Sequence, residues 1–300
     1  MNYYLILECY KMKEKIKIPD TKKEPTQASQ PGKESEMHDK PLFEPKEALT
    51  NLTFANKVIV ITGGDSGIGK AVALAFAKTG GNIAFLYYNE EKDAENTLQE
   101  IEKMGVKVHA YACNISDANK CKEVTDQIIN TFGKIDVLIN CAAVQFEQTD
   151  PRKITPRQVD LTFGINILGA IYLTIAVLPH LKEGASIINT TSVTAYRGSK
   201  HLIDYSSTKA ALVGFTRSLS TALAKDGIRV NAVAPGPVWT PLIPSSFSKS
   251  KLEEFGKNTP MGRAGQPNEI APSYLFLASD NASFITGQVI HPNGGEIVNA

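Results

Sequence analysis

A chain of 300 residues can bury a substantial core, in one large domain or two small ones. Hydrophobic residues make up 42%, charged residues 21%, and 32 Lys plus Arg against 31 Asp plus Glu leave a net charge of +1. That balance excludes an overall basic field for nucleic acid and an acidic solvating character. No uninterrupted apolar run approaches the roughly eighteen residues of a membrane span, so a cytoplasmic globular protein is expected.

Cys9, Cys113, Cys121 and Cys141 form no Cys-x-x-Cys pair, and the five histidines show no ligand spacing, so no metal site is expected. Residues 1–50 form the first region. After a short apolar start, Tyr3 to Ile6, the stretch from Lys11 to Lys46 is rich in Lys, Glu, Pro, Gln and Ser and has no periodicity. Such a composition buries too little apolar surface to offset its ordering entropy. A flexible tail, or an arm on a neighbouring subunit, is expected there.

From Lys57 onwards short apolar runs alternate with amphipathic stretches, giving one domain over 51–300. The spacing predicts strands at Val58–Ile61, Asn82–Tyr88, Val106–Ala112 and Asp136–Asn140, separated by helices at Ala71–Lys78, Glu91–Met104 and Asn119–Phe132. A long helix over Pro156–Leu181 follows, then a strand Ala185–Thr190, a helix Tyr205–Lys225 and a strand Ile228–Ala234. A long polar loop, about 237–265, precedes a helix Pro267–Ala278 and a last strand Gln288–His291. Strands alternating with helices imply right-handed crossovers and a parallel sheet covered on both faces. The predicted fold is α/β: a single Rossmann-like, doubly wound domain with a seven-stranded parallel sheet.

The first strand runs into Thr62-Gly63-Gly64-Asp65-Ser66-Gly67-Ile68-Gly69, which opens a helix. Glycines at 63, 67 and 69 suit a tight turn, close backbone approach to a pyrophosphate and close helix–strand packing, with a helix N-terminus facing the phosphates. A strand before and a helix after are the context that gives such a turn meaning.

On these residues the chain resembles the short-chain dehydrogenase/reductase family, over roughly Lys57 to Gly295. Gln30-Pro31-Gly32, Glu36-Met37 and Pro235-Gly236-Pro237-Val238-Trp239-Thr240 are similar to a bacterial subgroup of general stress proteins. The resemblance implies contacts to a dinucleotide from Gly63, Asp65, Ser66, Gly67, Ile68 and Gly69, with Tyr87 and Tyr88 beside the adenosine ribose. Asn114 and Ile115 would face the adenine, where the family's Asp is here an Asn whose amide oxygen can still accept from the amino group. The family's Asn-Asn-Ala-Gly reads Asn140-Cys141-Ala142-Ala143, and Asn140 and Ala142 are expected as cofactor walls. The change from Gly to Ala143 is mild only where the backbone keeps a negative φ. No Arg or Lys stands at the strand end or before Gly67, while Asp65, Glu90 and Glu91 lie close by. Carboxylates suit a ribose hydroxyl better than a 2′-phosphate, so NAD is expected ahead of NADP.

Tyr205-Ser206-Ser207-Thr208-Lys209 puts Tyr205 and Lys209 four apart on one helix face, where an ammonium favours the phenolate. Ser192 ends a predicted strand thirteen residues before Tyr205, and Asn166 lies in the long helix, as in the family. The resemblance implies hydride transfer between nicotinamide and an alcohol or carbonyl carbon, with catalytic Asn166, Ser192, Tyr205 and Lys209. Tyr205 would be general acid/base, Lys209 would also hold the nicotinamide ribose, and Asn166 would kink its helix and support a proton relay. Pro235, Gly236, Val238 and Thr240 would meet the nicotinamide, with 237–265 as a lid and Trp239 either lining the pocket or packing beneath it. The substrate is read as a small alcohol, aldehyde, ketone or sugar, and the assembly as a homotetramer. Two other readings stay open: a non-catalytic NAD(H)-binding sensor or scaffold, and a sugar-nucleotide epimerase or dehydratase, whose usual larger carboxyl-terminal domain is not evident.

Overall fold

A computed structural model describes residues 20, 25–27, 30–43 and 52–298 of the chain. Its strands are β1 (Val58–Thr62), β2 (Asn82–Tyr87), β3 (Val108–Ala112), β4 (Val137–Asn140), β5 (Ser186–Thr190), β6 (Arg229–Val233) and β7 (Val289–Ile290). They form one parallel sheet in the order β3-β2-β1-β4-β5-β6-β7. Helices α1 (Gly67–Lys78), α2 (Glu91–Glu102) and α3 (Ala118–Phe132) carry the first crossovers. The expected doubly wound architecture is what the chain adopts.

Every residue of β1 is buried, because helices cover both faces of the sheet. Successive side chains alternate. Ile59 and Ile61 join Ile83, Phe85 and Ile139 under α1 and the later helix α9 (Pro267–Ala278). Val60 joins Ala84, Leu86, Leu138 and Ile187 on the other face, under α3 and α5 (Ala170–Val177). Each such side chain contributes roughly 1.5–3 kcal/mol by leaving water. The strand order reverses between β1 and β4, and there the carboxyl ends of the strands open a crevice.

The predicted helix over Pro156–Leu181 is interrupted around Asn166, where the resemblance implied a kink. It consists of α4 (Pro156–Phe163), a π-helical stretch (Gly164–Gly169) that contains Asn166, α5, and a 3-10 turn (Leu178–His180). Among the described residues Pro156–His180 is long and apolar enough to cross a membrane by length and composition, which the run-length reading missed. Here its inner side packs through Leu173 and Val177 on the sheet, with Leu161, Leu168 and Ile175 exposed on the outer side. Two short helices were also not foreseen: α6 (Thr194–Arg197) and, within the 237–265 loop, α8 (Lys249–Glu254). Between them lies α7 (Ile203–Leu223).

The amino-terminal region departs most from expectation. The apolar start Tyr3 to Ile6, with Cys9, lies outside the described residues. Residues 30–43, expected within a flexible tail, instead run as an arm along the crevice. The Asp93 carboxylate accepts the Glu34 and Ser35 N–H groups at 2.6 and 3.0 Å, and Lys70 pairs with Glu34 at 3.2 Å. Met37, 4% exposed, packs with Trp239, Ile243 and Leu252, while the Trp239 indole N–H donates to the Asp39 carbonyl at 2.9 Å. The Leu42 N–H donates to Gln266 Oε1 at 3.0 Å, and Phe43 stacks on Lys70. The arm has no core of its own; it borrows the domain's.

Candidate active site

A cavity of about 570 Å³ occupies the crevice. The glycine turn forms its floor, with Gly63 at φ +66° and Gly67 at φ +56°. Thr62 Oγ1 accepts from the N–H groups of Cys141 and Ala142 at 2.8 and 3.0 Å and so ties the turn to the loop after β4. Ser66 caps α1 without a side-chain hydrogen bond, leaving the first-turn N–H groups of the helix to face the cavity.

At the other end of the cavity stand Ser192, Tyr205 and Lys209, all buried. Ser192 follows β5, and its Oγ accepts from the Thr194 N–H and hydroxyl at 3.2 and 3.1 Å. The Ser192 hydroxyl works to lower the pKa of Tyr205. Tyr205 and Lys209 share a face of α7, with Lys209 Nζ 5.5 Å from the tyrosine ring centroid. The ammonium donates to the Thr190 carbonyl at 2.7 Å. Burial pulls Lys209 down to about 8 and pushes Tyr205 up to about 12, against the Ser192 hydroxyl. Burial outweighs the expected acidification of the phenol. The lysine charge is directed at a carbonyl, and desolvation dominates both groups.

Asn166 lies beneath the cavity. Its Oδ1 accepts from the Val144 N–H at 2.9 Å, and its Nδ2 donates to the Val144 carbonyl at 2.8 Å and to Thr208 Oγ1 at 3.2 Å. It holds the loop after β4 rather than lining the pocket.

Residues 63–296 match a family model described as Enoyl-(Acyl carrier protein) reductase. The uncharacterized oxidoreductase YhxC of Bacillus subtilis is 55% identical over 274 residues, covering 91% of this chain and 95% of that protein. The chain belongs to the short-chain dehydrogenase/reductase family. NADPH-dependent aldehyde reductase 1 of Arabidopsis thaliana is 49% identical (91% of this chain, 98% of that protein), and general stress protein 39 of B. subtilis 46% (91% and 96%). Among solved structures, a Burkholderia cenocepacia short-chain dehydrogenase in complex with NADP superposes with a TM-score of 0.76 at 27% identity, covering 80% of this chain and 98% of that one. A Brucella melitensis 3-ketoacyl-(acyl-carrier-protein) reductase complexed with NADH gives 0.75 at 31%, covering 81% and 99%. The chain is thus a short-chain dehydrogenase/reductase enzyme, an oxidoreductase.

Against that family pattern, Gly63, Asp65, Ser66, Gly67, Ile68, Gly69, Tyr87, Tyr88, Asn114, Ile115, Ala142, Pro235, Gly236, Val238 and Thr240 line the cavity as the sequence implied. Two expectations need correction. Asn140 points under the sheet end, where its Nδ2 donates to Asn189 and Thr174 at 2.9 and 3.1 Å; it is a buried structural amide, not a cofactor wall. Asn114 Oδ1 accepts from the Ser116 N–H and hydroxyl at 3.1 and 2.7 Å, so it is engaged in an Asx turn rather than standing free as expected from the sequence. Ala143 keeps a negative φ, which makes the replacement of glycine harmless. Trp239 packs beneath the loop instead of lining the pocket.

Sequence reasoning missed Gln30, Pro31 and Gly32 of the arm, Glu90, and Val144 to Phe146 as cavity residues. At the end of β2, burial and the charge of Glu90 raise Asp65 to about 7. Burial likewise raises Glu90, whose Oε2 accepts from the Asn89 and Tyr88 N–H groups while Oε1 is buried without a partner. The basic residues among those lining the cavity are Arg197 and Lys209, both at the Ser192 end.

Proposed function

We propose that this enzyme reduces a small carbonyl substrate, an aldehyde foremost, using a nicotinamide dinucleotide, with Tyr205 as proton donor. The observation that carries the reading is a buried phenol that keeps its proton, beside Ser192 and Lys209 in one cavity. The cavity suits the group: the glycine turn for a pyrophosphate, and the unpartnered Glu90 Oε1 for a ribose hydroxyl. A bound dinucleotide would supply the hydride. Tyr205 and Lys209 would hold its nicotinamide ribose, and Val238 and Thr240 its carboxamide. The Ser192 hydroxyl orients the substrate oxygen, Tyr205 gives it a proton, and the Lys209 charge offsets the phenolate that remains. The NADPH-dependent aldehyde reductase relative supports the aldehyde class.

The test is oxidation of NADH and NADPH, read at 340 nm, against a panel of aldehydes, ketones and sugars. Binding without turnover of any member would favour a cofactor sensor instead. The pH profile carries a sign. Tyr205 at about 12 keeps its proton across the working range, whereas Lys209 loses its charge through about 8. Reduction should therefore be flat below pH 8 and decline above it, while the reverse oxidation should climb with pH. A reduction rate that rises through pH 8 would refute the assignment.

For the cofactor, the acidic lining at Asp65 and Glu90 supports NAD, although the Arabidopsis relative named for NADPH argues for the phosphorylated form. Two charges ~6 Å apart at an effective dielectric of ~20 interact by ~3 kcal/mol, roughly a hundredfold in affinity. NADH should bind ~10–100-fold tighter than NADPH at pH 8. The margin should shrink towards pH 6, where Asp65 is protonated, and Asp65→Asn should abolish most of it at pH 8 while changing little at pH 6. Titration calorimetry showing NADPH bound more tightly at pH 8 would settle the matter the other way.

A further inference from the structure

We propose that Gln30 of the amino-terminal arm is a positioning residue for the substrate side of the cavity. The proposal rests on the oxidoreductase reading above and extends it to a residue outside the catalytic helix and strand. Its basis is a pair of side-chain amides acting on consecutive peptide units. Asn166 closes both hydrogen bonds on Val144, through the N–H and the carbonyl. Gln30 does the same to Gln145: its Oε1 accepts from the Gln145 N–H at 2.9 Å, and its Nε2 donates to the Gln145 carbonyl. The Nε2 group also reaches the Ser245 carbonyl at 3.4 Å and Ser246 Oγ at 3.3 Å in the 237–265 loop.

The segment so held is the one that walls the cavity between its two ends. It starts at Ala142, whose Cα lies against Gly63 of the glycine turn. It passes Val144, Gln145 and Phe146 and reaches Gln148, whose N–H donates to the His201 carbonyl at 2.9 Å, next to Leu202 in the cavity wall. Irregular backbone of this kind has no ladder to fix it, so its position depends on the side chains that bind its N–H and carbonyl groups. Gln30 joins that wall to the 237–265 loop. Gly32 lets the arm lie close enough to do so: a Cβ there would come within 2.1 Å of the Pro241 carbonyl oxygen.

Gln30→Ala, Gln30→Glu and Gly32→Ala provide the test, with Tm measured for each. Amide hydrogen exchange over residues 143–147 reads the wall directly, and steady-state kinetics with the best aldehyde of the panel read its effect on substrate. Gln30→Ala should speed exchange there and raise KM about tenfold, the equivalent of ~1.4 kcal/mol, with kcat within about twofold. Gly32→Ala should act in the same direction. Gln30→Glu can accept from the Gln145 N–H but cannot donate while ionised, so its KM should approach the wild-type value as pH falls towards 5, a recovery that mere packing would not produce. Unchanged exchange in Gln30→Ala overturns the proposal, as does faster exchange with an unchanged KM. If the wild type turns over no panel member, the small-carbonyl reading fails, and the clamp then stands or falls on exchange alone.

Discussion

Replacing Tyr205 by Phe should lower kcat by about 10³-fold, within the 10²–10⁴ typical of a positioned acid or base, and weaken NADH binding by no more than about tenfold, the hydrogen bond that the hydroxyl would give the nicotinamide ribose. The substitution removes one oxygen from the cavity wall and keeps the buried ring against Lys209. What is lost is the proton donor beside Ser192 and the hydroxyl that would meet the nicotinamide ribose. Steady-state rates at 340 nm, with calorimetric titration of NADH, separate the two effects. Should the variant keep more than a tenth of the wild-type kcat, the proton comes from elsewhere and the mechanism above is wrong.

The second large effect is expected at Gly69. A Cβ there would sit 2.0 Å from the Gly63 carbonyl oxygen and 3.2 Å from the Gly64 Cα, all backbone atoms with nowhere to go. Gly69→Ala must push the turn away from α1. Overpacking of this kind costs about 3 kcal/mol, which lowers Tm by roughly 6–12 °C in a domain of this size. The displaced turn should also lose dinucleotide affinity by 100-fold or more. Gly214 in α7 is the control, since a Cβ there meets nothing within 4 Å. Gly214→Ala should instead stabilise the protein by ~0.5–1 kcal/mol. Scanning calorimetry on both variants decides this, and an unshifted Tm for Gly69→Ala would mean that the turn is far more pliable than its geometry says.

Where periodicity and local chemistry decide structure, the sequence was a good guide. The β-branched run at Val58 became a fully buried strand, and the helix at Pro267 begins with a proline and a capping box between Gln266 and Glu269. The Tyr205 and Lys209 face and the position of Ser192 after β5 followed from helical spacing and strand direction. The failures share a cause. Asn140 matched a motif, but its side chain turns towards Asn189, a contact set by strand register rather than by neighbours in the chain. The kink at Asn166 was implied by the resemblance, but its π-helical form and the pairing with Val144, twenty-two residues away, were not. The arm was misjudged because its composition does exclude a core of its own, yet Met37 and Phe43 find one on the domain. Nor does spacing reveal dielectric environment. Lys209 was expected to acidify Tyr205, and burial instead raises the tyrosine and lowers the lysine.

Trp239, the chain's single tryptophan, gives the docked arm an optical signature. Its indole is fully buried against Met37, with the ring N–H bound to the Asp39 carbonyl. Emission excited near ~295 nm thus arises from one chromophore, at the seam where the arm crosses the body of the enzyme. Lifting the arm would admit solvent to that ring and move the emission to longer wavelength, so the strap's residence can be followed in real time without attaching a dye.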